Sequence, residues 1–176
     1  MRFAGRALHR VLPFVLCALV PCSPARSQDG PKKPCDAPEN RQFDFWAGEW
    51  SVAKPDGTTV GENRIEIILG GCVLMENWRS TNGASVGHSF NVYADGKWHQ
   101  TWVDNQGSLL ELAGGLDDRG RMVLSQKTTD SEGKPALHEI SWEKLDTGQV
   151  KQHWRLSHDE GRTWEDLFVG IYTRRK

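Results

Sequence analysis

Turn-forming clusters recurring at intervals of roughly 8–14 residues restrict this 176-residue chain more than any other feature. They are Pro55-Asp56-Gly57, Gly70-Gly71, Asn82-Gly83, Asp95-Gly96, Asn105-Gln106-Gly107, Asp117-Asp118-Arg119-Gly120, Ser131-Glu132-Gly133, Asp146-Thr147-Gly148 and Asp159-Glu160-Gly161. Asn-Gly and Asp-Gly tips suit the positive φ angles of tight hairpins. Past residue 56 the only proline is Pro135, beside one of these turns. The stretches between turns alternate with period two: in Lys97–Asp104, Trp98, Gln100, Trp102 and Asp104 share one face. The pattern predicts ten strands over 48–54, 58–69, 72–81, 84–94, 97–105, 108–115, 120–129, 135–145, 148–158 and 163–174. No long helix intervenes, so sequence neighbours pair. Closing such a meander removes its exposed edges, which predicts an all-β, ten-stranded antiparallel up-and-down barrel, with a two-sheet sandwich as the alternative. Ahead of it, Glu39–Trp46 reads as a short helix with Asp36 as N-cap and Pro38 in its first turn.

Residues 1–27 read as a secretory signal peptide. A basic stretch Met1–Arg10 precedes an apolar run Val11–Cys22, too short to span a bilayer, and Ala25-Arg26-Ser27 offers cleavage after Ser27 or after Ala25. Lipidation at Cys22 is the alternative, which Pro21 disfavours. Residues 28–38 read as a linker, and 39–176 as the domain. Without its leader the chain carries 18 Lys+Arg against 23 Asp+Glu. That acidic balance argues against nucleic acid and anionic membrane surfaces as partners. Two cysteines remain, Cys35 and Cys72. In the oxidising compartment an exported chain meets, periplasmic or extracellular, they are expected to form a disulfide.

Two motifs suggest hydrolases and fail on context. Gly83-Ala84-Ser85-Val86-Gly87 matches a nucleophile elbow but lacks the helix that must follow. Ser157-His158-Asp159-Glu160-Gly161-Arg162-Thr163-Trp164 matches an Asp-box, read here as a well-specified turn with Gly161 at positive φ and Trp164 packed beneath. The five histidines beyond the leader show no metal-ligand spacing, and His153 shares an outward face with Lys151 and Arg155, so no metal, haem or other cofactor is expected.

The constellation with chemical content is polar and inward. Period two groups Glu76 with Trp78, places Trp98, Gln100, Trp102 and Asp104 together, and pairs Gln152 with Trp154. Carboxylates and amides among tryptophans imply a polar cavity that binds a small, partly apolar ligand. The plainer alternative sets the polar groups at barrel ends, satisfied by loop backbone, with the tryptophans as core. An enzyme on the same scaffold would use Glu76 or Asp104, its pKa raised by burial, for isomerase- or cyclase-type acid–base chemistry. A structural or interaction module is the third reading. Leu167, Val169 and Ile171 fall on one face of the last strand, Phe168 and Tyr172 on the other; a strand apolar on both faces calls for a cover on its outside, the N-terminal segment or a second copy in a homodimer.

Phe43-Asp44-Phe45-Trp46-Ala47-Gly48-Glu49-Trp50 contains a Gly-x-Trp at the first strand and resembles the opening signature of lipocalins and the wider calycin group. Arg174 resembles the arginine that packs over that tryptophan in such barrels. With Gly70-Gly71-Cys72, Trp98-x-Gln100-x-Trp102-x-Asp104 and Gln152-x-Trp154, the chain is similar over about residues 35–176 to a bacterial family of exported lipocalin-like domains of unknown function. The resemblance implies a barrel and supplies no reaction.

Overall fold

A computed structural model describes residues 33–130 and 132–175; the expected signal peptide, 1–27, and residues 28–32 of the expected linker lie outside them. Ten strands follow in chain order: β1 Gly48–Ala53, β2 Thr59–Ile68, β3 Val73–Ser80, β4 Val86–Ala94, β5 Lys97–Asp104, β6 Leu109–Leu116, β7 Met122–Thr129, β8 Pro135–Lys144, β9 Val150–Ser157 and β10 Glu165–Arg174. Each pairs antiparallel with the next, and β10 returns to β1, closing an up-and-down barrel. The predicted strands and turns are found, with strand ends displaced by one or two residues.

The segment before β1 differs in detail from its expectation. It forms two 3-10 turns, Pro38–Arg41 and Asp44–Trp46, and Ala37 rather than Asp36 holds the N-cap position, without a side-chain cap. A 3-10 turn brings residues three apart onto one line. Phe43 and Trp46 accordingly stack at 5.1 Å between ring centroids, both fully buried. Together they plug one end of the barrel against Trp98 and Trp142 (centroids 5.6 and 5.1 Å from Phe43). Trp50 donates to the Trp46 carbonyl at 2.8 Å, and the Arg174 guanidinium lies 4.4 Å from the Trp50 ring centroid, the packing expected of it. Cys35 and Cys72 form a disulfide that staples this segment to the β2–β3 connection. Such a bond fits an oxidising compartment. Among the described residues no helix is long and apolar enough to cross a membrane.

On β10 the ladder shifts register between Asp166 and Phe168. This bulge inserts one residue and breaks the expected grouping of Leu167 with Val169 and Ile171 opposite Phe168: Leu167 lines the interior at the rim beside Phe168, with 39% exposure. Val169 and Ile171 lie on the far side of the shift, half-buried.

Candidate functional site

The interior is stratified along the barrel axis. Above the aromatic plug lies a belt of polar side chains, and above that a cavity of about 530 Å³ that reaches solvent past the exposed Gln106 and Ser108.

The belt is a connected hydrogen-bond network. Glu76 on β3 accepts from Asn63 Nδ2 on β2 at 2.7 Å and from Ser89 Oγ on β4 at 2.7 Å. Asn91 donates to Ser89 Oγ (2.9 Å) and to the Leu74 carbonyl (3.1 Å), and Gln100 on β5 donates to Asn91 Oδ1 at 2.8 Å. Over the intervening β1, Asn63 Nδ2 also reaches the Tyr172 hydroxyl on β10 at 3.4 Å, and Tyr172 donates to Gln152 Oε1 on β9. Strand register explains the assembly. Asn63 pairs near Glu76 through Ile65↔Glu76 and Asn63↔Trp78, while Glu76↔Ser89 and Asn91↔Gln100 are direct partners.

Burial has an electrostatic consequence. Glu76 is 4% exposed and its donors are neutral, so desolvation pushes its carboxyl up to about 7, against the pull of Asn63 and Ser89. Tyr172 is pushed well above the ordinary phenol value, first by burial and then by the negative charge of Glu76. His138 is held below the usual imidazole value by burial and by His158.

Aromatic side chains form the upper wall. Trp78 and Trp102 each lean across an inward glycine of the preceding strand: a Cβ on Gly61 would stand 2.4 Å from Trp78, and one on Gly87 2.3 Å from Trp102. Glycine thus lets each indole lie against the wall rather than fill the lumen. Trp154 donates to His138 Nδ1 at 3.2 Å, and Trp78 to Ser85 Oγ at 3.2 Å.

Seven of the eight predicted site residues line this one cavity: Glu76, Trp78, Gln100, Trp102, Asp104, Gln152 and Trp154. The eighth, Trp98, faces inward as predicted but sits at the closed end, 1% exposed and donating to Gln42. Asp104 corrects another expectation. Its Oδ1 accepts the backbone N–H groups of Gln106 and Ser108 at 2.9 and 3.0 Å, and its Oδ2 the Trp102 indole at 3.4 Å. Although burial raises its pKa, these donors outweigh it and leave Asp104 below the usual aspartate value, ionised at the rim. It is not a raised general acid. The cavity reading and the plainer alternative therefore divide the Trp98–Asp104 stretch between them.

Phe168 and Tyr172, which their spacing sets on one face of the last strand, also line the cavity, as do Leu110, Ile140 and His138, which the sequence pattern does not mark. Counting register outward from the Asn82-Gly83 turn pairs Glu76 with Ser89, and counting from Gly70-Gly71 brings Asn63 within two residues of it. The two set-aside motifs behave as read. Ser85 begins no helix and serves as an acceptor at the mouth. In the Ser157–Trp164 turn, Asp159 accepts from the Thr163 N–H (2.8 Å) and hydroxyl (2.6 Å), holding its carboxyl at about 2. Gly161 there has φ +89 with Trp164 beneath it. His153 faces outward to Asp166 at 2.6 Å. Compared with protein-family models and with curated proteins, the chain matches none.

Proposed function

We propose that this protein is an exported, lipocalin-like receptor that holds one small, partly apolar molecule in its barrel. One observation carries the reading. Residues from β3, β5 and β9, chosen for their inward alternation, converge on a single solvent-connected cavity whose wall is aromatic and whose floor is hydrogen-bonding. A volume of about 530 Å³ falls within the range of ligand pockets, roughly 300–1,000 Å³. The plug below it holds the floor rigid, because Phe43, Trp46, Trp98 and Trp142 are fully packed. The leader-like segment and the disulfide both fit export.

Trp78, Trp102 and Trp154 make their own reporters. Titration with a neutral aromatic probe such as N-phenyl-1-naphthylamine is expected to quench tryptophan emission and saturate at one equivalent. Absence of any spectral change up to the probe's solubility, in a protein whose thermal melt is cooperative, would refute the reading.

A second reading has one observation in its favour. Glu76 is buried at the cavity floor with a carboxyl near 7, the range in which a side chain both gives and takes protons at neutral pH. It would serve acid–base chemistry of the isomerase or cyclase type. That reading stands behind the first because no cysteine or second raised carboxylate lines the cavity among the described residues, and Ser89, the serine beside Glu76, has its hydroxyl committed to that carboxyl. Turnover retained in E76Q would end it.

A further inference from the structure

The charged side chains lining this cavity are all of one sign. The side chains lining it include two carboxylic acids, Glu76 at the floor and Asp104 at the rim, and neither lysine nor arginine. His138, the remaining titratable group on the wall besides Tyr172, is neutral at physiological pH because burial and His158 hold it down. The Glu76 carboxyl lacks a cationic partner: Asn63 and Ser89, its two hydrogen-bond donors, are uncharged. A buried carboxylate without a counter-ion is a costly arrangement. Five aromatic side chains (Trp78, Trp102, Trp154, Phe168 and Tyr172) complete the enclosure. Aromatic walls attract cations through the negative faces of their rings, most strongly where water is excluded.

Resting on the receptor reading above, we propose that the ligand is an organic cation, an ammonium group carried on an apolar body, with Glu76 as its counter-charge and the aromatic wall as its cage. Asp104, ionised at the mouth, favours entry of the same sign of charge. An anionic ligand would meet two carboxyls and no compensating cation. A neutral one would leave Glu76 as it is.

The charge match couples binding to a proton. An ammonium group beside Glu76 stabilises the carboxylate, so binding releases the proton that burial retains. The groups facing Glu76 do not compete in that titration. Asn63 on β2, Ser89 and Asn91 on β4 and Gln100 on β5 do not ionise, and Tyr172 on β10 stays protonated. With Glu76 at about 7, the apparent affinity for a cation climbs by up to about 30-fold between about pH 5.5 and about pH 8.5. A carboxylate ligand would show the reverse slope, and an uncharged ligand none.

Three probes of nearly equal shape separate these outcomes by tryptophan quenching: benzyltrimethylammonium, its uncharged carbon isostere neopentylbenzene, and 4-tert-butylbenzoate. At about pH 8 the cation is expected to bind at least about tenfold more tightly than the neutral isostere, and to tighten as pH rises. In E76Q the slope disappears and the ratio of the two affinities shrinks. The wild-type pH series needs no variant, so a poorly folded E76Q leaves the test intact. Equal or tighter binding of the neutral isostere, or benzoate binding that strengthens on acidification, would overturn the cation assignment while sparing the receptor. Failure of all three probes would overturn both.

Discussion

Replacing Glu76 by glutamine will remove from the protein's stability a pH dependence that runs in the direction opposite to that of most carboxylates. Ordinarily a folded protein lowers a carboxyl pKa and loses stability in acid. Here burial holds Glu76 at about 7 against an ordinary 4.5. The native state therefore binds this proton more tightly than the unfolded chain does. Its contribution is fully present below about pH 4.5, is lost as pH rises from there through about 7, and changes no further above. The width of that window corresponds to about 3 kcal/mol. The neutral acid also has a ready acceptor: Asn63 Oδ1 is buried without a partner among the described residues, and a half-turn of that amide presents it to a protonated Glu76. E76Q keeps the side-chain shape and can exchange hydrogen bonds with Asn63 and Ser89, yet it never ionises. Urea melts of both proteins across about pH 4.5 to about pH 8 will yield a difference curve in which E76Q gains about 3 kcal/mol on the wild type. In thermal melts the gain amounts to roughly 10 °C. Subtracting the variant removes the other titrating groups, and Asp104, Asp117, Asp130 and Asp159, all lowered, lie below the window in any case. A flat difference curve, or one complete by about pH 5, would refute the claim that Glu76 is desolvated at the cavity floor.

Removing the Cys35–Cys72 bond by a double alanine substitution frees a 37-residue loop and should cost about 3–4 kcal/mol in urea melts run without reductant. Gly87→Ala puts a methyl group where the Trp102 ring lies, at the cost of about 1–3 kcal/mol, a changed near-ultraviolet circular dichroism spectrum and weaker probe binding. Trp46→Ala empties the centre of the plug and should destabilise by about 3–5 kcal/mol in denaturant melts. Arg174→Ala loses the guanidinium stacked on Trp50 and should cost about 1–2 kcal/mol, of which Arg174→Lys recovers only part.

What a reader of the sequence can and cannot reach follows from which quantity each feature depends on. The hairpins are legible because the turn chemistry is local: Asn82-Gly83 and Asp95-Gly96 declare themselves, and the ten strands fall between such points. Facing is nearly as legible, since parity along a strand decides it, and Trp98, Gln100, Trp102 and Asp104 all point inward. Leu167 escapes because a bulge adds one residue and reverses parity, and nothing in Asp166-Leu167-Phe168 announces it. Depth along the axis is a different quantity from facing. Trp98 and Trp102 share a face, but one is sealed under Phe43 and the other opens on the cavity, and only the stagger of the whole sheet assigns them. Depth also decides the chemistry of the two acids. Glu76, at mid-barrel, finds only neutral side-chain donors and rises to about 7, whereas Asp104, one residue from a turn, finds two backbone N–H groups and stays ionised. Identical parity thus yields a proton-binding floor and a charged rim, and it is on this vertical separation of the two acids that the proposed preference for a cationic ligand rests.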